Sequence, residues 1–266
     1  SDFNGRWAVA LGADPDKVRT IHNGVDTTYF KPVADEPEHP TVVFVGRMDP
    51  LKDLRTLLRA VPLVADLVPK VRVRLIGPVP ETNRAYVDGL KELTAQLGIE
   101  DRVEFLGPTS DPVTAYASGT VAVLSSISEG FPYGALEPMA CGRPVVATNV
   151  GGVPEAVGDA GILVPSQNPS ALAEACAFLL DDAPERQRLA DHGRRRVESH
   201  FSLERMINRF RDTYVDLTGL LEPGTARVGP VRDGDHVDVA SRVDAYLPSP
   251  RDPDWAYSLF RTKSGG

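Results

Sequence analysis

Ser128-Glu129-Gly130-Phe131-Pro132-Tyr133-Gly134-Ala135-Leu136-Glu137-Pro138-Met139-Ala140-Cys141-Gly142, followed by Arg143-Pro144-Val145-Val146-Ala147-Thr148, is the stretch on which the fold turns. An apolar run, Val121-Ala122-Val123-Leu124, precedes it and reads as a buried strand. A short Ser/Ile loop leads into Glu129. Pro132 stands where a first helical residue is expected, since its fixed φ suits that position and its missing N–H costs nothing there. Gly142 then suits a helix C-terminus, and Val145-Val146-Ala147 opens the next strand. Two carboxylates, Glu129 and Glu137, therefore flank one helix start, with Glu137 expected about two turns inside. Both fall at the C-terminal mouth of a strand, where open α/β sheets bind ligands.

Working outward, strand-like runs recur at 42–45, 71–76, 103–106, 121–124, 145–147 and 162–164. Between the first three, Leu54, Leu57, Leu58 and Val61, then Val87, Leu90, Leu93 and Leu97, follow helical spacing. Repeated β–α units predict an α/β fold: a Rossmann-like parallel sheet with helices on both faces. Three further helices are expected near 168–181, 184–199 and 202–218. Residues 1–12 read as a helix with Phe3, Trp7 and Leu11 on one face, and Asn23-Gly24 as a tight turn needing positive φ. The expected division is an interdomain segment at 1–33, the Rossmann-like domain at 34–200, a crossing helix at 201–221 and an extended or disordered tail at 222–266. That tail holds five prolines and five glycines, with Trp255, Tyr257, Leu259 and Phe260 available to dock on a surface.

Composition narrows the function. The chain has 266 residues, 42% of them hydrophobic, and a net charge of −8. That is ample for a core, and the acidic balance argues against nonspecific nucleic-acid binding. Cys141 and Cys176 both fall in expected helices and suit a reducing compartment, so a cytoplasmic setting is expected. No metal-ligand cluster stands out among the five histidines. No signal-peptide pattern is visible, and the abrupt start at Ser1, without Met, suggests a segment of a longer protein.

The end of the first strand supplies a second half-site: Gly46-Arg47-Met48-Asp49-Pro50-Leu51-Lys52-Asp53. Arg47 offers a planar fork for phosphate oxygens and Lys52 a compact charge. Together they could neutralise a diphosphate without a metal. Carboxylates accept from hydroxyl pairs, and helix N-termini favour phosphate. Phosphate flanked by hydroxyls describes a nucleotide sugar. The plainer readings, helix-start acids and a solvated basic loop, stand beside this one. Gly46 belongs to no Gly-x-Gly-x-x-Gly, and no Walker-type motif occurs, which argues against dehydrogenases and P-loop ATPases.

Asn23-Gly24-Val25-Asp26, Gly46-Arg47 with Lys52, Val103-Glu104-Phe105-Leu106-Gly107, Glu129-Gly130-Phe131 through Thr148, and Gly151-Gly152-Val153-Pro154-Glu155 together resemble the retaining GT-B glycosyltransferases of family 4. The resemblance is to their C-terminal, donor-binding domain and covers about residues 1–218. Ser-Glu-Gly-Phe-Pro-Tyr and Asp49-Pro50-Leu51-Lys52-Asp53 look most like the PelF-type exopolysaccharide enzymes. The resemblance implies that Arg47 and Lys52 hold the donor diphosphate, and that Glu129 lies near the sugar hydroxyls. It implies that the backbone of Gly130, Phe131 and Pro132 faces sugar and phosphate, and that Glu137 binds ribose. Thr109 and Asp111 fall where the base is contacted. It also implies no cofactor and no metal. The donor would be a nucleoside diphosphate sugar, with a UDP-sugar as first choice, and the glycan or lipid-linked acceptor would sit on an N-terminal domain outside this chain. Peripheral membrane association of a full-length protein fits that picture. Residues 1–266 alone are then expected to bind nucleotide weakly and transfer little sugar. The alternatives are a nucleotide-sugar epimerase or phosphorylase of the same architecture, and a noncatalytic binding module.

Two departures from the family pattern carry expectations. Pro138 replaces the usual Ala and predicts a locally irregular helix at 134–138. Pro132 replaces a common Gly and removes one N–H donor. Phe201, Phe210 or Tyr214 is expected to face the absent domain.

Overall fold

The computed structural model describes residues 1–33 and 37–218. The expected tail at 222–266, with Trp255 and its neighbours, lies outside the described residues. Six strands form one parallel sheet: β1 (Thr41–Val45), β2 (Arg72–Ile76), β3 (Val103–Leu106), β4 (Val121–Leu124), β5 (Val145–Thr148) and β6 (Ile162–Val164). Their order is β3-β2-β1-β4-β5-β6. The helices are α1 (Asp2–Ala10), α2 (Leu54–Leu67), α3 (Arg84–Gln96), α4 (Pro112–Ala117), α5 (Tyr133–Ala140), α6 (Val153–Val157), α7 (Pro169–Asp181), α8 (Ala183–His200) and α9 (Leu203–Thr218).

Side chains alternate across a strand, so each strand feeds two cores. Val42, Phe44, Val121, Val123 and Val146 pack with α2, α3 and α7 on one face. Val43, Ala122, Leu124, Val145 and Ala147 pack with α4, α5 and α6 on the other. In β1, β4 and β5 both faces are almost entirely buried, which is why these strands read as continuous apolar runs. The predicted α/β class and helices on both faces are borne out, and the six strands agree with expectation to within one residue.

The order reverses between β1 and β4. The chain leaves β1 toward β2 and β3, returns to β4, and continues outward to β5 and β6. A crevice opens at such a switch point beyond the strands' C-terminal ends. The two loops that border it are 46–53 after β1 and 125–132 after β4, the two the sequence singled out.

Local corrections follow from α5. It begins at Tyr133, so Pro132 is its N-cap, with φ −84° and ψ 129°, rather than its first helical residue. Glu137 is the fifth helical residue, little more than one turn inside. The irregularity predicted at 134–138 does not appear: the helix runs unbroken through Pro138. Gly134, four residues before the proline, has no Cβ to crowd it, and the helix ends only two residues after Pro138, at Ala140. It closes on a paired cap, Arg143 N–H to Pro138 O at 2.8 Å and Gly142 N–H to Met139 O at 3.1 Å, with Gly142 at φ +66°.

Candidate active site

Lys52 and Glu129, 77 residues apart in sequence, meet at the switch point. Lys52 Nζ lies 2.6 Å from Glu129 Oε1, with both side chains largely buried. Ser126 Oγ donates to the same oxygen at 2.6 Å. Oε2 of Glu129 has no hydrogen bond or ion pair among the described residues, and an ammonium has three protons, so Lys52 keeps two for a ligand.

The loops carrying this pair are tied to each other. Asp49 is buried and caps the 3-10 turn Pro50–Lys52, accepting from Leu51 N–H at 3.0 Å. Its other oxygen pairs with Arg47 at 3.3 Å. Ser125 Oγ donates to Lys52 O at 2.7 Å, and Ile127 N–H to Leu51 O at 2.9 Å. Thr148 Oγ1 donates to Ser126 O at 2.5 Å. Asp53, at φ 44° and ψ 49°, ends this turn and caps α2 through Thr56.

The loop at 129–132 is held from behind. Gly152 N–H donates to Glu129 O at 3.1 Å. Gly151 is at φ +53°, and a Cβ there would stand 1.9 Å from Glu129 O, so only glycine allows this approach. Phe131 is buried against His22 and Phe201, with ring centroids at 4.7 and 5.2 Å, and its carbonyl accepts from Asn23 Nδ2 at 2.9 Å. Asn23-Gly24 is therefore not a positive-φ turn. Asn23 is a strut, and Gly24 is required because a Cβ there would meet Ser202 O at 2.4 Å. Phe201 packs within this chain rather than facing another domain, whereas Phe210 and Tyr214 are exposed, as are Phe3, Trp7 and Leu11 of the first helix.

Glu137 is half-buried, and Tyr116 of α4 donates to its Oε2 at 2.9 Å. Burial pushes the Glu137 carboxyl above its ordinary range, and the Tyr116 hydrogen bond opposes that rise. Cys141, next on the same side, is pushed up to about 12 by burial and by the Glu137 charge, so it is no nucleophile. Thr109 and Asp111 are exposed at the entry to α4. Asp111 caps that helix, accepting from Thr114 N–H at 3.0 Å, and the Thr114 hydroxyl holds its carboxyl below the usual range.

The structure thus brings Lys52 and Glu129 into contact. It places Gly130, Phe131 and Pro132 on the bordering loop and leaves Arg47 exposed, joined to Asp49. Sequence reasoning missed Ser126 and Tyr116. The signal for Tyr116 was present, since a tyrosine on the apolar side of a short helix needs a partner for its hydroxyl. One cluster of metal-binding residue types also forms: Asp2, His22 and Glu155 bring ligand atoms within 4.8 Å of one another. The Glu155 carboxylate there already accepts from Asp2 N–H and Phe3 N–H, at 2.7 and 2.5 Å, and so caps α1.

Residues 39–182, more than half of the chain, match the sequence model of the family described as "Glycosyl transferases group 1". The chain belongs to the group 1 glycosyl transferases. Among curated relatives, D-inositol 3-phosphate glycosyltransferase of Thermomonospora curvata is 33% identical over 242 residues, covering 82% of this chain and 56% of that one. D-inositol 3-phosphate glycosyltransferase 2 of Catenulispora acidiphila is 39% identical over 204 residues, covering 70% and 47%. The chain spans about half the length of these relatives. Among solved structures, HepE of Anabaena in complex with UDP matches at a TM-score of 0.77 and 24% identity, covering 81% of this chain and 62% of that one. Sucrose-phosphate synthase of Thermosynechococcus elongatus matches at 0.76 and 30% identity, covering 82% and 57%. The expected fold, the Rossmann-like part of a GT-B glycosyltransferase, is borne out by these matches.

Proposed function

We propose that this group 1 glycosyl transferase chain is the donor-binding part of a retaining family 4 enzyme, moving a sugar from a nucleoside diphosphate sugar to an acceptor hydroxyl. The observation that carries the reading is the Lys52–Glu129 contact at the switch point. It sets an ammonium with two spare protons beside a carboxylate with one spare oxygen. Lys52, joined by the exposed Arg47, would bind the diphosphate and stabilise charge on its leaving oxygen. Glu129 Oε2 would accept from a sugar hydroxyl and favour positive charge developing at the anomeric carbon. Glu137 would accept from the ribose hydroxyls, with Thr109 and Asp111 toward the base. HepE was solved with UDP and with UDP-glucose, which supports a UDP-sugar as the donor. The PelF-like motifs favour exopolysaccharide or cell-envelope glycan synthesis on the cytoplasmic side, with the acceptor held by an N-terminal domain. No described helix is long and apolar enough to cross a membrane.

Thermal unfolding against UDP, GDP, ADP and their sugars tests this, repeated with Arg47→Ala and Glu137→Ala. Ligand at about 100 times its Kd adds about 2.7 kcal/mol, a rise of several degrees at this size. The expected result is a rise for one base that both substitutions diminish. No rise with any nucleotide, or one indifferent to both substitutions, rejects the reading.

A further inference from the structure

Tyr116 is 1% exposed and lies among the apolar side chains between α4 and α5. A phenol buried that deeply needs an acceptor, and a backbone carbonyl would satisfy it. Its acceptor is instead one oxygen of the half-buried Glu137 carboxylate, at 2.9 Å. The other oxygen, Oε1, has no partner among the described residues. A glutamate side chain turns about three bonds, and holding it in one rotamer costs conformational entropy unless a contact fixes it. Tyr116 is that contact. Its ring is locked by packing, so the hydroxyl is a fixed point.

We infer that Tyr116 is a positioning residue for the donor site: it grips Glu137 Oε2 and presents Oε1 to a pair of neighbouring ligand hydroxyls, as on a ribose. This rests on the reading of Glu137 as a donor-site carboxylate. The same hydrogen bond does a second job. Burial favours the protonated form of Glu137, and the Tyr116 donor favours the carboxylate. A protonated Glu137 accepts less well from hydroxyls, so Tyr116 extends the pH range in which the acceptor form exists. Cys141, which caps the end of α5, feels the Glu137 charge but stays a neutral thiol, pushed up to about 12. Asp111 at the start of α4, Arg143 after α5 and Arg194 of α8 also act on the Cys141 thiol.

Tyr116→Phe keeps the ring and removes the hydroxyl. Two measurements compare it with wild type and Glu137→Gln. The first is UDP, GDP and ADP affinity by calorimetry from about pH 5 to about pH 8. The second is the carboxyl ¹³C titration of ligand-free protein, with the Glu137 resonance assigned by its loss in Glu137→Gln. Tyr116→Phe is expected to weaken nucleotide binding on the order of tenfold at neutral pH. It is also expected to lose binding at a higher pH than wild type on acidification, and to raise the Glu137 titration midpoint. An unchanged Glu137 midpoint with an unchanged pH profile overturns the inference, even if Tyr116→Phe is less stable, because packing alone predicts that pattern. Binding that ignores Glu137→Gln overturns the donor-site reading instead, and in that case the titration still reports whether Tyr116 holds Glu137.

Discussion

The Lys52–Glu129 pair can be tested apart from any ligand by a double-mutant cycle of Lys52→Met and Glu129→Gln. At 2.6 Å two unit charges attract by about 1.6 kcal/mol in water and about 6 kcal/mol at an effective dielectric near 20. Side-chain exposures of 21% and 12% place the pair between these limits. Desolvation of both ions takes back much of the gain, so the net coupling is expected at about 1–3 kcal/mol. Lys52→Met alone is the costlier single change, because it leaves a largely buried carboxylate with only the Ser126 hydroxyl. Glu129→Gln keeps an acceptor for Ser126, so the double variant is expected to be more stable than Lys52→Met alone. Equilibrium urea unfolding of the four proteins measures the coupling. In thermal unfolding, each kcal/mol corresponds to about 2–4 °C at this size. A coupling below about 0.5 kcal/mol, the range of an exposed pair, would refute the claim that the two loops enclose these charges.

Two further outcomes follow from the same geometry. Asp53 holds a left-handed backbone, whose strain any residue with a Cβ shares, and caps α2; Asp53→Ala is expected to lose about 1–2 kcal/mol, from the missing cap. Asp53→Gly, which relieves that strain, should fall within about 1 kcal/mol of wild type by urea unfolding. Glu137 titrates above its ordinary value of 4.5 because it is buried. The fold therefore pays for its ionisation at pH above the raised value, and this penalty vanishes as pH falls below the unfolded value. Glu137→Gln is accordingly expected to raise the unfolding temperature near neutral pH, with the gain disappearing as pH falls toward 4.5; an equal gain at both ends of that range would contradict it.

What was legible in the sequence was whatever burial writes locally. β4 and β5 are buried throughout and β1 in all but its last residue, so Val42 to Val45 or Val121 to Leu124 could be recognised from composition alone. Lys52 and Glu129 were legible as loop residues after strands, although their contact was not. The misreadings share one cause. Pro132 favours the first helical position by its own geometry, but Asn23, 108 residues away in sequence, holds the preceding carbonyl and keeps the loop extended one residue further. Phe201 sits at a helix junction and reads as available for a partner, yet His22 and Phe131 fill its surroundings. Ser126 looks like any loop serine until the fold sets Glu129 over it. The outcomes at Pro132 and Phe201 were decided by partners far away in sequence, which no periodicity records.

Those distant partners also constrain how a ligand enters. The 125–132 loop is fastened to the β1 loop through Ser125 and Ile127, to the β5–α6 turn through Gly152, and to residues 22–24 through Asn23. Its backbone is therefore pinned on three sides, and Gly151 stands too close behind Glu129 for the loop to retreat. Accommodation falls to side chains. Lys52 can turn its two spare protons toward phosphate without leaving Glu129, because one ammonium serves both. Arg47 is exposed and, among the described residues, held only by Asp49, so it can swing in from solvent. On the proposed donor-site reading, such a site places its carboxylates before the ligand arrives and leaves the long cation to close over it. The ordering cost on binding is then borne mainly by one arginine side chain rather than by a loop.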